Sequence, residues 1–423
     1  MIRIAVVGAG LSGLSAAIFA ANEGAQVTVV ALGEGGLSLS HGGIELWASA
    51  SPSRSLARLK KGHPYQLAGS NALHAGLSKF RKLLKECDVS FDGGISTNRG
   101  LLTAVGAIRQ VAFTPAGSAV AEPLRKAPAA IAILPGLRDY FPELIVQEAK
   151  NSKIKLGPLI DLPLIDIPDG RGLYALDLAR RFEDLPWRRE ILRAWKPKLT
   201  GVNRLVLPAC LGLRSSKAIR AEVETELGVN VFEIALLPPT IPGFRLEKGL
   251  HSILNRLGVD MIEGAQAIGR YDGASGGKRT AGLVIETAGA SHSIDAEAVI
   301  LATGGVLHGG ILALQTPEFR ETVFTIPLDH PKRREDRVAI SPFMPQPYQL
   351  AGVRVNASMQ PIGADGKPFL DNLFAAGGII AGADRTKEGS RQGIDIATAY
   401  KSVLGALKTS RPGRKTASSR KGK

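Results

Sequence analysis

Three glycines in Gly8-Ala-Gly10-Leu11-Ser12-Gly13 are spaced to hold a phosphate. The first permits a sharp turn, the second lets the backbone approach an anion, and the third lets the next helix pack on the preceding strand. The free N–H groups and positive dipole end of that helix, with Leu11 and Ser12 in its first turn, then face the anion. The flanking sequence supplies the elements this requires. Ile2–Val7 is an apolar, β-branched run that reads as a buried parallel strand. Leu14–Gly24 reads as a helix closed by a glycine, and Gln26–Val30 as a second strand. In that strand–helix–strand setting the glycine spacing becomes a strong signal for a bound nucleotide.

One part of a dinucleotide site is missing. An Asp or Glu normally ends the second strand and bonds the adenosine ribose. Here the run is Val29-Val30-Ala31-Leu32-Gly33, and Ala31 accepts no such bond. Glu34 can substitute only if its loop curls back. A mononucleotide such as FMN uses the cradle without that carboxylate and is favoured; FAD would rely on backbone contacts.

Further glycine turns recur along the chain. Ser40-His41-Gly42-Gly43 follows the second strand, where backbone N–H groups can meet a planar ligand or simply form a polar turn. Two later strands end in glycines, at Thr303-Gly304-Gly305 and at Gly377-Gly378, and Gln392-Gly393 opens a helix. Strand ends of one kind spread over the whole length suggest one discontinuous nucleotide-binding domain, 1–120 and 245–407. The proline-rich stretch 121–244 reads as an inserted domain of the α+β kind, a cap or substrate domain.

Among seven histidines, His41 and His308 lie beside glycine turns and are the candidate bases. For His41 a cofactor contact is favoured over a proton-transfer role; for His308 a catalytic and a plain turn role stand level. An anionic substrate needs Arg or Lys. Arg109 and Arg99 flank a glycine turn, and Arg391 starts the last helix. The run Lys332–Arg337 reads as a solvated face.

Composition narrows the classes. With 44% hydrophobic and 22% charged residues the chain is globular rather than disordered. Two cysteines exclude a disulfide scaffold, and no cluster of ligands points to a metal or an iron–sulfur centre. Seven of the 53 basic residues fall in 408–423, and removing them takes the formal +15 to +8. That segment is rich in Ser, Gly and Pro and reads as a disordered basic tail without the aromatics of a nucleic-acid site. No run reaches the roughly 18 apolar residues of a membrane span, and Met1 leads straight into a strand. A cytoplasmic protein is therefore expected.

Taken together, the first glycine run, Ser40–Ile44, Ala302–Gly305 and Leu373–Gly377 resemble the two-dinucleotide-binding-domain flavoproteins, the group of fumarate reductase and aspartate oxidase. That resemblance implies a Rossmann-like α/β flavin domain. Asn98–Arg109, Phe232–Leu246 and Pro345–Tyr348 followed by Gly352-Val353 are more closely similar to the B-subunit family of anaerobic glycerol-3-phosphate dehydrogenase, over nearly the whole chain except the tail. This implies a flavin subunit, described with FMN, in a membrane-associated complex. A second flavin subunit and an iron–sulfur subunit would be its partners. The complex oxidises sn-glycerol 3-phosphate to dihydroxyacetone phosphate and passes electrons to quinone, from the inner face of the cell membrane. Departures from the wider group matter too. Gly36 stands where a covalent flavin would attach, so a noncovalent flavin is expected. Pro347 replaces a dicarboxylate-binding His. Gly378 replaces an acidic residue on the ribityl chain, which implies mostly main-chain contacts there.

Overall fold

The computed structural model describes residues 1–165, 172–316 and 318–409. Strand β1 (Arg3–Val7), helix α1 (Leu11–Asn22) and strand β2 (Gln26–Ala31) form the opening unit. β1 is buried from Ile4 to Val7, as its unbroken apolar run requires of a strand covered on both faces. α1 is buried almost all round, which suits its small residues Ala16, Ala17 and Ala20. It packs against the helix Arg391–Thr409, which in turn packs against Ser70–Lys85.

β1 and β2 lie in a five-stranded parallel sheet ordered 260–263, β2, β1, 298–301 and 373–375. Val7 pairs with Leu301, and Leu301 with Ala375, so three strands end on one row. Each of those ends runs into a glycine turn. One hydrophobic core surrounds this sheet and draws on residues 4–113 and 246–406.

A second core draws on residues 102–236 and contains Phe182, Trp187 and Trp195. It surrounds a four-stranded sheet ordered 230–234, 204–208, 129–133 and 156–161. All its pairs are parallel. The α/β class holds for the whole chain, but this unit is a parallel α/β sheet and not the α+β arrangement expected. The reason is local: helices such as Pro142–Asn151 and Ser216–Leu227 separate the strands, and such crossovers return the chain in the same direction.

The last helix runs to Thr409, so Lys408 and Thr409 are helical rather than part of a tail. The rest of the tail, 410–423, lies outside the described residues. None of the described helices is long and apolar enough to cross a membrane.

Candidate functional site

The three glycine turns interlock. Gly8 has φ +113°, and a Cβ there would lie 2.4 Å from the Ala302 carbonyl oxygen of the second turn. At Gly13 a Cβ would fall 1.9 Å from the Gly8 oxygen, so only glycine lets α1 sit this close to β1. A Cβ at Gly305 would approach the Gly378 oxygen at 3.0 Å, and one at Gly377 would meet the Ser12 Oγ at 2.3 Å. First, second and third turns therefore touch one another in a ring around the N-terminus of α1.

Gly10 is different. A Cβ there would meet only the Gly35 oxygen, at 3.8 Å, so the backbone faces open space. The first N–H groups of α1 lack intrahelical acceptors, as in any helix. No side chain caps them, and the first turn carries no acidic residue. The Thr303 Oγ1, at the second turn, is buried without a hydrogen-bond partner. An open phosphate cradle and an orphaned buried hydroxyl together fit a nucleotide-like group.

The loop Gly33–Gly36 does curl back over the first turn: a Cβ at Gly35 would lie 2.0 Å from the Ala9 oxygen. Beyond Ala31, burial and then the Glu34 and Glu263 charges push the Glu247 carboxyl up, so three carboxylates gather at that end.

Ser40, His41, Gly42 and Gly43 form an inward-facing turn. The Gly42 N–H donates to Ser40 Oγ at 3.0 Å, and the Gly43 N–H to His41 Nδ1 at 3.0 Å. His41 Nδ1 therefore accepts, which leaves the proton on Nε2, and Nε2 donates to Glu45 Oε1 at 3.2 Å. Both ring nitrogens are engaged within the protein. Gly42 is required because a Cβ would meet Pro242 at 2.6 Å.

Glu45 is the centre of this turn, although nothing in the sequence pattern singles it out. It is 1% exposed, ion-pairs with Arg109 and accepts the His41 Nε2–H. Burial alone would raise its pKa, but the His41 and Arg109 bonds more than offset this and hold it at about 2. Its Oε2 is buried without a partner. Gln392 Oε1 accepts the Glu45 N–H at 3.2 Å, and the Gly393 N–H donates to the Glu45 carbonyl at 2.9 Å. Gln392 and Gly393 thus tether the last helix to the Glu45 segment.

Across from this turn stand His308, Arg385, Arg391 and Asp395. Arg385 Nη1 donates to Asp395 Oδ1 at 2.8 Å. Arg391 bonds Thr386 Oγ1 at 2.8 Å. Its pKa falls through partial burial, is supported by the Glu45 charge, and is lowered again by Arg109 and Arg385. Partial burial, followed by the Arg385 charge, lowers the His308 pKa and keeps that imidazole neutral near pH 7. Arg99 instead lies near Asp92, at 3.8 Å. The expectation of mostly main-chain contacts at Gly378 meets a difference: the Arg385 Nη2 lies 2.1 Å from where a Cβ would stand, so a guanidinium fills that place. Arg385 and Asp395 were missed in the sequence. Their signal was an acidic residue between Ile394 and Ile396, in a helix otherwise buried on that face.

A family model described as "FAD binding domain" matches residues 3–148 and 180–394. The chain belongs to the FAD binding domain family. Among relatives of this family member, the anaerobic glycerol-3-phosphate dehydrogenase B subunit of Glaesserella parasuis is 24% identical, covering 94% of this chain and 97% of that one. The B subunit of the same enzyme from Pectobacterium atrosepticum is 25% identical over 97% and 99%. That of Yersinia enterocolitica is 26% identical over 94% and 96%. Among solved structures, the open form of a flavocytochrome c3 fumarate reductase covers 96% of this chain and 78% of its own, at 12% identity and TM-score 0.43. The Sterolibacterium denitrificans 3-ketosteroid delta1-dehydrogenase covers 96% and 100%, at 11% identity and TM-score 0.44. This protein is therefore a flavin-binding family member related to the B subunits of anaerobic glycerol-3-phosphate dehydrogenase.

Proposed function

We propose that the chain is a flavin-dependent dehydrogenase subunit for sn-glycerol 3-phosphate or a closely related polyol phosphate. The product would be the ketone, dihydroxyacetone phosphate. The observation that carries this reading is the cationic side of the site. Arg391 feels the charges of Arg109 and Arg385, the neutral His308 feels those of Arg385 and Arg391, Arg109 pairs with Glu45, and Arg385 stands at the third glycine turn. When bound, the flavin supplies a hydride acceptor. Arg391 and Arg109 would hold the phosphate of the substrate, because guanidinium forks match phosphate oxygens. His308 would take the hydroxyl proton on a ring nitrogen. Its lowered pKa keeps the base form populated at neutral pH. His41, with both nitrogens engaged, would orient Glu45 and Arg109 rather than move a proton.

The cofactor in this reading is noncovalent. Gly8, Gly10, Leu11, Ser12 and Gly13 would hold its phosphate, with Gly377 and Gly378 beside them, and Thr303, Gly304 and Gly305 would hold its ribityl chain and ring. FMN is favoured because Ala31 offers no ribose contact. FAD is the second reading, on the observation that the Gly33–Gly36 loop folds back and brings Glu34 near Glu247 and Glu263. Residues 1–120 and 245–407 would form the flavin domain, and 121–244 the inserted cap.

Partner subunits, one with a second flavin and one with iron–sulfur clusters, would carry electrons toward quinone. The exposed loop with Ile340 at 100% and Phe343 at 98% supports a docking surface for a partner protein. Peripheral attachment to the inner face of the membrane would come mainly through such partners. An electron-carrying subunit without turnover of its own is the competing reading, favoured by the engagement of His41. The purified chain, given glycerol 3-phosphate and a dye acceptor, separates the two. Dye reduction by the chain alone supports turnover here; reduction only after partner subunits are added supports the carrier.

A further inference from the structure

Gly378 leaves a gap that the protein fills with a charge from elsewhere in the chain. The Arg385 guanidinium lies over Gly378, with Nη2 2.1 Å from the position of an absent Cβ. Any side chain at 378 would expel it. Arg385 is fixed from both sides. Asp395 accepts its Nη1 at 2.8 Å, and the short turn that bears it is capped by Asp384, which accepts the Lys387 N–H at 3.0 Å. Glu388 closes the same turn by accepting the Asp384 N–H at 3.2 Å and pairing with His63 at 3.3 Å.

The pair lies beside the phosphate cradle. A Cβ at Gly377 would meet both Ser12 Oγ, at 2.3 Å, and Asp395 Oδ1, at 2.7 Å. Ser12 belongs to the first turn of α1, so Asp395 and the helix N-terminus share one wall. Among the described residues the Arg385 side chain makes one hydrogen bond, that to Asp395, and it is 19% exposed. Its Nε and Nη2 donors are therefore free for a ligand. Burial pushes the Asp395 carboxyl up, against the pull of Arg385, His308 and Arg391.

We propose that Arg385, oriented by Asp395, is a cofactor-selecting residue that meets the flavin's terminal phosphate and favours a phosphomonoester over a pyrophosphate. This rests on the flavin reading above. The selection follows from charge. A phosphomonoester carries about −1.5 to −2 near pH 7 on one group. The pyrophosphate of FAD spreads its charge over two groups, so a single guanidinium would meet less charge on either one.

The test is direct binding of FMN and of FAD to the full-length apoprotein, followed by flavin fluorescence, for wild type, Arg385→Gln and Arg385→Lys. Arg385→Gln should weaken FMN by about tenfold or more and FAD by less than about threefold, since a charge-assisted bond is roughly twice a neutral one. Arg385→Lys should restore part of the FMN preference. Should Arg385→Gln misfold, Arg385→Gln/Asp395→Asn removes both charges and keeps a hydrogen bond between them, with the same expected result. Equal weakening of both flavins, or no change in either, overturns the proposal. So does unchanged flavin binding with a raised substrate KM, which would move Arg385 to the substrate. Wild type that binds neither flavin refutes the flavin reading itself, a separate outcome.

Discussion

Replacing Glu45 by Gln keeps the shape of the side chain and removes the charge that joins His41 to Arg109. The carboxyl is held at about 2 against an ordinary value of 4.5. At about 1.36 kcal/mol per pKa unit, the paired carboxylate is worth about 3 kcal/mol of stability near neutral pH. Glu45 is 1% exposed, so solvent screening removes little of that. Arg109 is 41% exposed and can rehydrate once freed, which keeps the cost at the lower end of a broken buried pair, about 3 kcal/mol. Because the folded-state pKa lies below the unfolded one, this stability is fully present above about pH 4.5 and is lost as pH falls toward about 2. Urea unfolding of wild type and Glu45→Gln between about pH 7 and pH 3 measures it. The gap should be about 3 kcal/mol at about pH 7 and less than half of that at about pH 3. A gap that stays constant with pH, or one near zero at neutral pH, would refute the ion-pair account of this turn.

Further outcomes follow from the same geometry. Gly10→Val should leave the fold intact but abolish flavin retention after desalting, because a Cβ there meets only open space beside the cradle. Gly13→Val should lose the fold as well, since its Cβ would collide with the Gly8 oxygen; circular dichroism separates the two variants. Arg391→Gln should raise the KM for glycerol 3-phosphate by about tenfold or more with a smaller change in kcat, as loss of a charged phosphate contact predicts. His308→Gln should lower kcat by about a hundredfold, and the wild-type rate should rise through a pKa below the usual imidazole value and then stay flat through neutral pH. A pH profile with its midpoint above neutrality would contradict that assignment.

Much of the flavin half was legible because each turn is local. β1, the glycine run and α1 follow one another within a few residues, and the required spacing is written in the chain. The strand ends at Thr303 and Gly377 carried the same signal, although their alignment with Val7 needed the sheet register. Glu45, Arg385 and Asp395 were not legible, because their roles depend on partners far away in sequence: Arg109 for the first, and the shared wall with Gly377 and Ser12 for the other two. The inward direction of the Gly42 and Gly43 N–H groups was hidden for a related reason. A glycine turn reads the same whether its donors face a ligand or, as here, its own Ser40 and His41. The parallel sheet of the second core was missed because its strands are separated by helices and their pairing is set by the fold.

On the proposed reading, the three interlocked turns hold one noncovalent flavin. Acid precipitation of the purified protein, with chromatography of the supernatant and flavin quantified per chain, tests it most directly. Released FMN in about equimolar amount, with a colourless pellet, is the expected result. Flavin retained in the pellet would contradict the noncovalent site, released FAD in equimolar amount would contradict the FMN preference, and the absence of any flavin from protein purified with its partner subunits would contradict the central claim.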